Sequence, residues 1–77
     1  MSQQYDMEQI AQDNGYVFSH KGCPCNGLPL IYRKVSENGA YELSLYTKRA
    51  FWMLNRNHYS IDNGTDNVLQ EHLQKWD

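Results

Sequence analysis

The sequence predicts a small α+β domain, a four-stranded antiparallel meander with one helix at each end of the chain. Apolar residues recur with helical spacing near both ends, whereas the stretches between them alternate with the period of two that is typical of strands. Four of the five glycines follow an asparagine, and Asn-Gly is a strong signal for a short turn because both residues tolerate positive φ. Hairpin-length links join antiparallel neighbours, so the predicted order is α-β-β-β-β-α with the helices packed on the sheet.

Size and composition indicate a single domain over residues 1–77. A chain of 77 residues has room for one hydrophobic core. We find no apolar run of membrane-spanning length and no signal-peptide pattern, which predicts a cytoplasmic protein without a membrane partner. In that reducing compartment Cys23 and Cys25 are expected to be thiols.

The first helix is predicted over residues 3–13. Ser2 is a suitable N-cap, and Asn14-Gly15 is a suitable stop because glycine adopts the left-handed conformation that ends many helices. The apolar stripe of this helix consists of Met7, Ile10 and Ala11. The first strand follows at residues 16–21, where alternation places three side chains on one face: Tyr16, Phe18 and His20.

A loop and the second strand come next. Residues 22–29 contain two prolines and two glycines, which favour a loop over a strand. Residues 30–36 alternate as the second strand, and two registers with the third strand are open. After a two-residue Asn38-Gly39 turn the core face would be Leu30, Tyr32 and Lys34. After a three-residue turn over residues 37–39, with the glycine left-handed, it would be Ile31, Arg33 and Val35. We favour the three-residue turn because it buries two β-branched side chains.

The third and fourth strands are predicted to form a hairpin over residues 41–55 that turns at Lys48-Arg49. If Tyr46 faces Phe51, alternation gives each side of the hairpin its own set of side chains. The core side is Tyr41, Leu43, Leu45, Trp52 and Leu54, and the other side is Glu42, Ser44, Tyr46, Phe51 and Met53. The second set has more aromatic and Met surface than a solvated face should have, so we expect a helix or a partner to cover it.

The fourth strand is predicted to continue to Ile61 and to be broken by Asp62-Asn-Gly64. Thr65 is then a candidate N-cap for a final helix over residues 66–76. The apolar stripe of this helix is Leu69, Leu73 and Trp76, with Val68 and His72 at its edges.

The net charge of −2 argues against bulk electrostatic binding to nucleic acid, but the charge is unevenly distributed. Residues 33–56 hold five Lys and Arg side chains against two Glu side chains, a local charge of +3. The stretches on both sides are acidic. The central hairpin is therefore the basic part of an acidic chain.

The chain carries, in order, Gly22-Cys-Pro-Cys-Asn-Gly27, Ile31-Tyr-Arg33 and an aromatic-rich hairpin from Tyr41 to Leu54. With these features it resembles, from Gly22 to about Leu69, a loose group of short proteins encoded by phages and mobile elements of gut bacteria. The resemblance implies an accessory protein of a phage or mobile element that acts in the host cytoplasm. The group has no assigned function, so the resemblance implies no site residues.

Cys23-Pro-Cys25 is the motif that most invites a metal site. A structural zinc site needs four ligands, commonly from two Cys pairs, and this chain has one pair that His20 and His58 would have to complete. We therefore expect a Pro-stabilised loop with no metal or other cofactor, and we keep His20, Cys23, Cys25 and His58 as a fallback zinc set. A disulfide between residues two apart would close a strained ring, and redox chemistry normally uses Cys-x-x-Cys, so neither is expected.

The candidate binding residues lie on the basic, aromatic hairpin. They are Tyr46, Lys48, Arg49, Phe51, Met53 and Arg56. No spacing singles out a nucleophile with its base, a phosphate loop or a carboxylate pair, so we do not expect an enzyme. Apolar surface on both sheet faces favours a protein-binding or self-associating module. Aromatic side chains beside cations make single-stranded nucleic acid the alternative partner, and a small zinc-binding domain is the third hypothesis.

Overall fold

The chain forms two α-helices and a five-stranded antiparallel sheet over residues 6–76, the part that the computed structural model describes. The strands lie side by side in chain order, as a meander. The elements are α1 (Met7–Asp13), β1 (Val17–Lys21), β2 (Leu30–Ser36), β3 (Gly39–Tyr46), β4 (Phe51–Arg56), β5 (Tyr59–Thr65) and α2 (Leu69–Lys75). The predicted α+β class and antiparallel sheet are confirmed, whereas the predicted number of four strands is wrong. Neither of these helices has the length and apolar character needed to cross a membrane.

The fifth strand arises because a tight turn at Asn57 and His58 divides the predicted fourth strand. Both residues have positive φ, +50° and +72°, a conformation in which Asn and His are enriched. The turn is fixed to the start of β3, because the Asn57 N–H donates to the carbonyl oxygen of Ala40 (2.9 Å) and Asn57 Oδ1 accepts from the Ala40 N–H (3.0 Å). β4 and β5 therefore form a hairpin of their own.

Asp62-Asn-Gly64 lies within β5 and does not break the strand as predicted. Gly64 is paired with Trp52, and a Cβ on Gly64 would lie 3.1 Å from Cζ2 of the Trp52 ring and 3.0 Å from Cγ2 of Val68. The glycine thus makes room for the indole, which is fully buried and donates its N–H to the carbonyl oxygen of Thr65 (2.7 Å). Close packing, and not a turn, explains the glycine here.

The central hairpin has the predicted register. Tyr46 pairs with Phe51, and residues 47–50 form a four-residue connection in which Ala50 has a φ of +51°. The five predicted core side chains are at most 2% exposed: Tyr41, Leu43, Leu45, Trp52 and Leu54. This hairpin is therefore the centre of the hydrophobic core.

The core face of β2 is that of the alternative we did not favour, but the predicted Asn38-Gly39 turn is wrong because Gly39 already belongs to β3. Glu37 and Asn38 alone form the turn, so the core face of β2 is Leu30, Tyr32 and Lys34. Tyr32 is 2% exposed, and its hydroxyl donates to Oε1 of Glu8 in α1 (2.8 Å). The favoured three-residue turn is wrong because the helix side of the sheet takes an aromatic ring whose hydroxyl Glu8 can satisfy. The β-branched side chains of β2 lie on the opposite face, where Ile31 is buried and Val35 is exposed.

β1 also departs from the predicted alternation. The register shifts between Phe18 and His20, so that Phe18 pairs with Tyr32 whereas His20 pairs with Ile31. Directly paired residues share a face, and Tyr32 and Ile31 face opposite sides of the sheet. Phe18 and His20 therefore lie on opposite faces, contrary to the prediction, and Tyr16 is buried just before the strand.

Both helices pack on the same side of the sheet. α1 contributes Met7 and Ala11, and α2 contributes Leu69 and Leu73, to the one core cluster formed with the buried side chains of β2, β3 and β4. Val68 and Trp76 pack against the edge of that cluster. The predicted stripe of the last helix is thus confirmed as the surface that docks on the sheet.

The helix boundaries differ in detail from the prediction. Asp6 is the N-cap of α1, and its carboxylate accepts from two backbone N–H groups of the first turn (3.1 and 3.2 Å); the predicted cap Ser2 and residues 3–5 lie outside the described residues. The C-terminal helix starts with a 3-10 turn, Asp66–Val68, and continues as α2. Thr65 precedes this turn, but its side chain makes no capping hydrogen bond.

Candidate functional site

The sheet surface opposite the helices, here called the open face, carries the second set of hairpin side chains as predicted. Three cross-strand pairs lie on it: Tyr46–Phe51, Ser44–Met53 and Glu42–Asn55. Neither helix packs here, because all four buried helix side chains belong to the cluster on the other face. Within residues 6–76 the expected covering helix is therefore not found, and Tyr46, Phe51 and Met53 are only half-buried.

One end of the open face is a cleft, where the loop of residues 22–29 meets the connection between β3 and β4. Two depressions of about 350 and 260 Å3 share Gly27, Tyr46 and Arg49, and together they form what we call the loop-end cleft. Their other lining residues are Pro24, Cys25, Leu28, Lys48, Phe51 and Met53. Five of the six predicted binding residues come together here: Tyr46, Lys48, Arg49, Phe51 and Met53.

An aromatic pair lines the loop-end cleft. The ring centroids of Tyr46 and Phe51 are 6.1 Å apart and the ring planes are tilted by 41°, a separation in the favourable range for aromatic pairs. Gly27, with a φ of +84°, brings the loop backbone against this pair, since a Cβ on Gly27 would lie 3.9 Å from Cδ1 of Tyr46. Leu28 is 48% exposed beside it. The cleft therefore presents apolar surface to solvent.

A disulfide between Cys23 and Cys25 closes the loop beside the aromatic pair, so the expectation of two thiols is wrong. Backbone hydrogen bonds fold the loop, from the Gly22 N–H to the carbonyl oxygen of Pro29 (2.6 Å) and from the Leu28 N–H to that of Cys23 (3.3 Å). This folding places the two cysteine Cα atoms 5.3 Å apart, a separation that a disulfide spans. Both cysteines are exposed.

Two cations lie at the cleft without a partner in the described part of the chain. Lys48 and Arg49 are exposed in the β3–β4 connection, and neither makes an ion pair or a hydrogen bond with residues 6–76. Two other cations of residues 33–56 have partners: Arg33 is paired with Glu42 (3.1 Å), and Lys34 donates to the carbonyl oxygen of Asn14, the C-cap residue of α1 (3.0 Å). Available positive charge on the open face is therefore concentrated at the cleft.

Arg56 lies apart from the other predicted binding residues. It ends β4, about 17 Å along the strand from Phe51 at roughly 3.4 Å per residue. Arg56 pairs with Tyr41 on the helix side of the sheet, and its guanidinium carbon is 5.8 Å from the centre of the Trp76 ring. It therefore belongs to the packing of the C-terminal helix and not to the loop-end cleft.

The four fallback zinc ligands are not brought together. The disulfide occupies Cys23 and Cys25, and Nδ1 of His20 lies 2.9 Å from the hydroxyl of Ser19. His58 lies in the β4–β5 turn, at the opposite end of the sheet. Among residues 6–76 no three His, Cys, Asp or Glu side chains are placed to hold a metal ion.

The opposite end of the open face also has a depression, of about 390 Å3, but its charges are already paired. Arg33 and Glu42 form their ion pair within it. Val35, which is 82% exposed, and His58 also line it. This end has apolar surface without an available cation, so Val35 provides a reference position for tests of the cleft.

Sequence reasoning missed three residues that the loop contributes to the cleft, Pro24, Gly27 and Leu28, and it named Cys25 only as a fallback zinc ligand. Comparisons of the chain with protein-family models, with curated proteins and with solved structures find no match. The expected phage or mobile-element origin and the cytoplasmic location stay predictions. The geometry of the cleft is therefore the basis for a functional proposal.

Proposed function

We propose that this protein is a small interaction module that binds an extended polypeptide segment of a partner protein in the loop-end cleft. The observation that carries the proposal is the juxtaposition of half-buried aromatic and Met side chains with two unpaired cations. Aromatic residues, Met and Arg are enriched at protein interfaces, and the flexible thioether of Met53 adapts to apolar side chains of different shape. Neither α1 nor α2 covers this surface, so a partner can reach it.

Charge complementarity indicates the chemistry of the bound segment. A carboxylate placed beside Lys48 and Arg49 would make charge-assisted hydrogen bonds with them. The apolar side chains next to these cations favour a large apolar residue of the partner. Depressions of about 350 and 260 Å3 accommodate a few side chains and not a folded domain. We therefore propose a segment in which apolar residues adjoin Asp or Glu.

Selection from a random peptide library on the immobilised protein tests this proposal. We expect the enriched peptides to combine apolar and acidic residues, and we would titrate them against wild type and two variants. Phe51→Ala should weaken binding by about 30-fold, the effect of losing a hot-spot contact of about 2 kcal/mol. Lys48→Ser/Arg49→Ser should mainly lower the association rate and its dependence on salt.

Val35→Ala and Lys75→Ser are the matched controls. Val35→Ala shortens an exposed apolar side chain on the same face outside the cleft, and Lys75→Ser removes an exposed positive charge from α2. Both variants should bind the peptides as wild type does. The proposal fails if no peptide is enriched, or if Phe51→Ala binds as tightly as wild type.

Self-association is the other protein-binding mode that the sequence predicts. Sedimentation equilibrium of wild type and Phe51→Ala distinguishes it from binding of a partner segment. A dimer that Phe51→Ala dissociates would make a second copy the occupant of the cleft and would overturn the partner-segment proposal. A monomer in both cases agrees with the proposal.

Single-stranded nucleic acid is the second candidate, and the half-buried Tyr46–Phe51 pair beside two cations favours it, since bases stack on such rings. We rank it lower because only Lys48 and Arg49 are available for phosphates at the cleft. Titration of labelled single-stranded DNA and RNA with the protein at about 50 mM salt tests whether the cleft binds nucleic acid. Binding whose salt slope falls by about 2 in Lys48→Ser/Arg49→Ser would favour nucleic acid, whereas no binding at micromolar protein would remove this candidate.

A further inference from the structure

We infer that the Cys23–Cys25 disulfide is redox-active and oxidises thiols of the segment that binds in the loop-end cleft. This inference rests on the proposed function, because the cleft supplies the substrate. The sequence predicts neither a disulfide nor a redox role, because the ring would be strained and redox motifs normally space their cysteines as Cys-x-x-Cys. The structure has the disulfide, and its position and exposure, not the motif, carry the inference.

The disulfide is poorly explained as a structural crosslink. Stabilisation by a disulfide increases with the length of chain that it closes, and this one joins residues only two apart. It connects no two strands or helices. The loop is already held by the backbone bonds between Gly22 and Pro29 and between Leu28 and Cys23. The position of the disulfide therefore calls for another explanation.

A thiol bound in the cleft can reach this disulfide. Cys23 and Cys25 are both exposed, and Cys25 lines the same depression as Tyr46 and Phe51. Exposed disulfides belong to the labile class that undergoes thiol exchange. Arg49 lines that depression too, and a nearby cation favours the thiolate, which is the nucleophile in the exchange. Apolar contact, positive charge and a reactive sulfur thus meet in one place.

The proposed exchange has two steps. First, the thiolate of a bound substrate cysteine attacks Sγ of Cys25; a substrate–Cys25 disulfide forms, and Cys23 leaves as a thiolate that takes up a proton. Next, a second substrate thiolate attacks the substrate sulfur of this mixed disulfide, and Cys25 leaves as a thiolate that is protonated. The two thiols of the substrate thus become a disulfide by losing two electrons and two protons. The disulfide of the protein takes up the same electrons and protons and becomes two thiols. A small-molecule disulfide such as oxidised glutathione restores the protein by the reverse exchange.

The test compares the oxidised 77-residue chain with the oxidised free peptide Gly22-Cys-Pro-Cys-Asn-Gly27, which has the same disulfide without the cleft. The substrate is a synthetic peptide with Cys-x-x-Cys between Leu and Glu residues, and dithiothreitol is a reference dithiol that needs no cleft. Alkylation quenching and mass spectrometry measure the disulfide in each species. For each species, the rate of substrate oxidation is divided by its rate with dithiothreitol. This normalised rate should be at least about tenfold higher for the protein than for the free peptide, a factor that corresponds to about 1.4 kcal/mol of binding.

Variants locate the reaction in the cleft. Phe51→Ala should remove this advantage, whereas Val35→Ala should keep it. When the oxidised substrate is supplied, Cys23→Ser should accumulate a mixed disulfide through Cys25. Cys25→Ser should accumulate less through Cys23, because Cys25 lines the cleft.

Equal normalised rates for the protein and the free peptide would overturn the inference. The inference would also be overturned if oxidised glutathione did not convert the two thiols of the reduced protein to a disulfide. Cys23→Ser/Cys25→Ser separates these failures from failure of the proposed function. If this variant binds the selected peptides while wild type shows no rate advantage, only the redox role falls. If neither protein binds a peptide, both proposals fall.

Discussion

Asp62 is the side chain through which β5 holds the C-terminal helix. Its Oδ2 accepts hydrogen bonds from the indole N–H of Trp76 (3.0 Å) and from Nδ1 of His72 (2.7 Å), and its Oδ1 accepts from the Asn63 N–H (2.9 Å). An ionised carboxylate only accepts, so Nδ1 of His72 carries the proton. The His72 ring also packs edge-on against the buried ring of Trp52, with centroids 5.3 Å apart.

Asp62→Asn is predicted to lower the free energy of unfolding by about 2 kcal/mol near neutral pH. The amide has one acceptor oxygen in place of two and no charge, and a hydrogen bond to a charged group contributes about 1.5–3 kcal/mol. The Asp62 side chain is 17% exposed, so solvent screens these bonds only in part. For a domain of this size, the expected fall in melting temperature is about 8–16 °C.

The acid dependence of stability provides a second test of the same contact. Burial raises the pKa of Asp62, but the hydrogen bonds from Trp76, His72 and Asn63 together outweigh burial and hold this pKa below its usual 3.8. Because the pKa is lower in the folded chain, the stabilisation is complete above the usual value and is lost as the pH falls through the folded-state value. Asp62→Asn should therefore remove part of the acid destabilisation below about pH 4.

Thermal unfolding followed by circular dichroism, near neutral pH and at about pH 3, measures both effects. Glu37→Gln is the control because it removes one carboxylate from the exposed β2–β3 turn, and it should stay within about 0.5 kcal/mol of wild type. If Asp62→Asn and Glu37→Gln unfold at the same temperature under both conditions, the reasoning about this contact is refuted.

Two further predictions concern a turn and a close packing contact. His58→Gly should raise the free energy of unfolding by about 0.5–1 kcal/mol, because glycine relieves the φ of +72°. The control Ser60→Gly, within β5, should lower this free energy. A urea titration in which His58→Gly unfolds at a lower midpoint than wild type would contradict the turn assignment. Gly64→Ala should cost about 1–3 kcal/mol, because the new Cβ would meet the Trp52 ring at 3.1 Å. Its control is Ser60→Ala. If Gly64→Ala unfolds at a urea midpoint as high as that of Ser60→Ala, the contact is not tight.

The central hairpin was predictable because its information is local. Alternation over adjacent residues, together with the pairing of Tyr46 with Phe51, is enough to sort ten side chains onto two faces. The register of β2 depends instead on a contact across 24 positions, in which the Tyr32 hydroxyl reaches Glu8. No pattern within β2 contains that information, so β-branched side chains were a misleading guide to the face that the helices cover.

The fifth strand was missed because glycine was used as the marker of turns. The turn that divides β4 from β5 has no glycine, because Asn57 and His58 tolerate positive φ and Asn57 bonds to Ala40 on a different strand. Gly64 is a glycine without a turn, placed where Trp52 needs room. Glycine therefore marks two different physical needs, backbone freedom and close approach, and only the tertiary structure distinguishes them.

The loop-end cleft follows from the topology more directly than from any motif. Successive connections of an antiparallel meander alternate between the two ends of the sheet, so the first connection (residues 22–29) and the third (residues 47–50) must lie at the same end. The pairing of β2 with β3 then brings the start of β2 beside Tyr46. By the same rule Arg56, at the start of the fourth connection, belongs to the opposite end. Arg56 was grouped with Lys48 and Arg49 only because these residues are close in sequence. The disulfide is distant in sequence, yet the meander places it beside the aromatic pair.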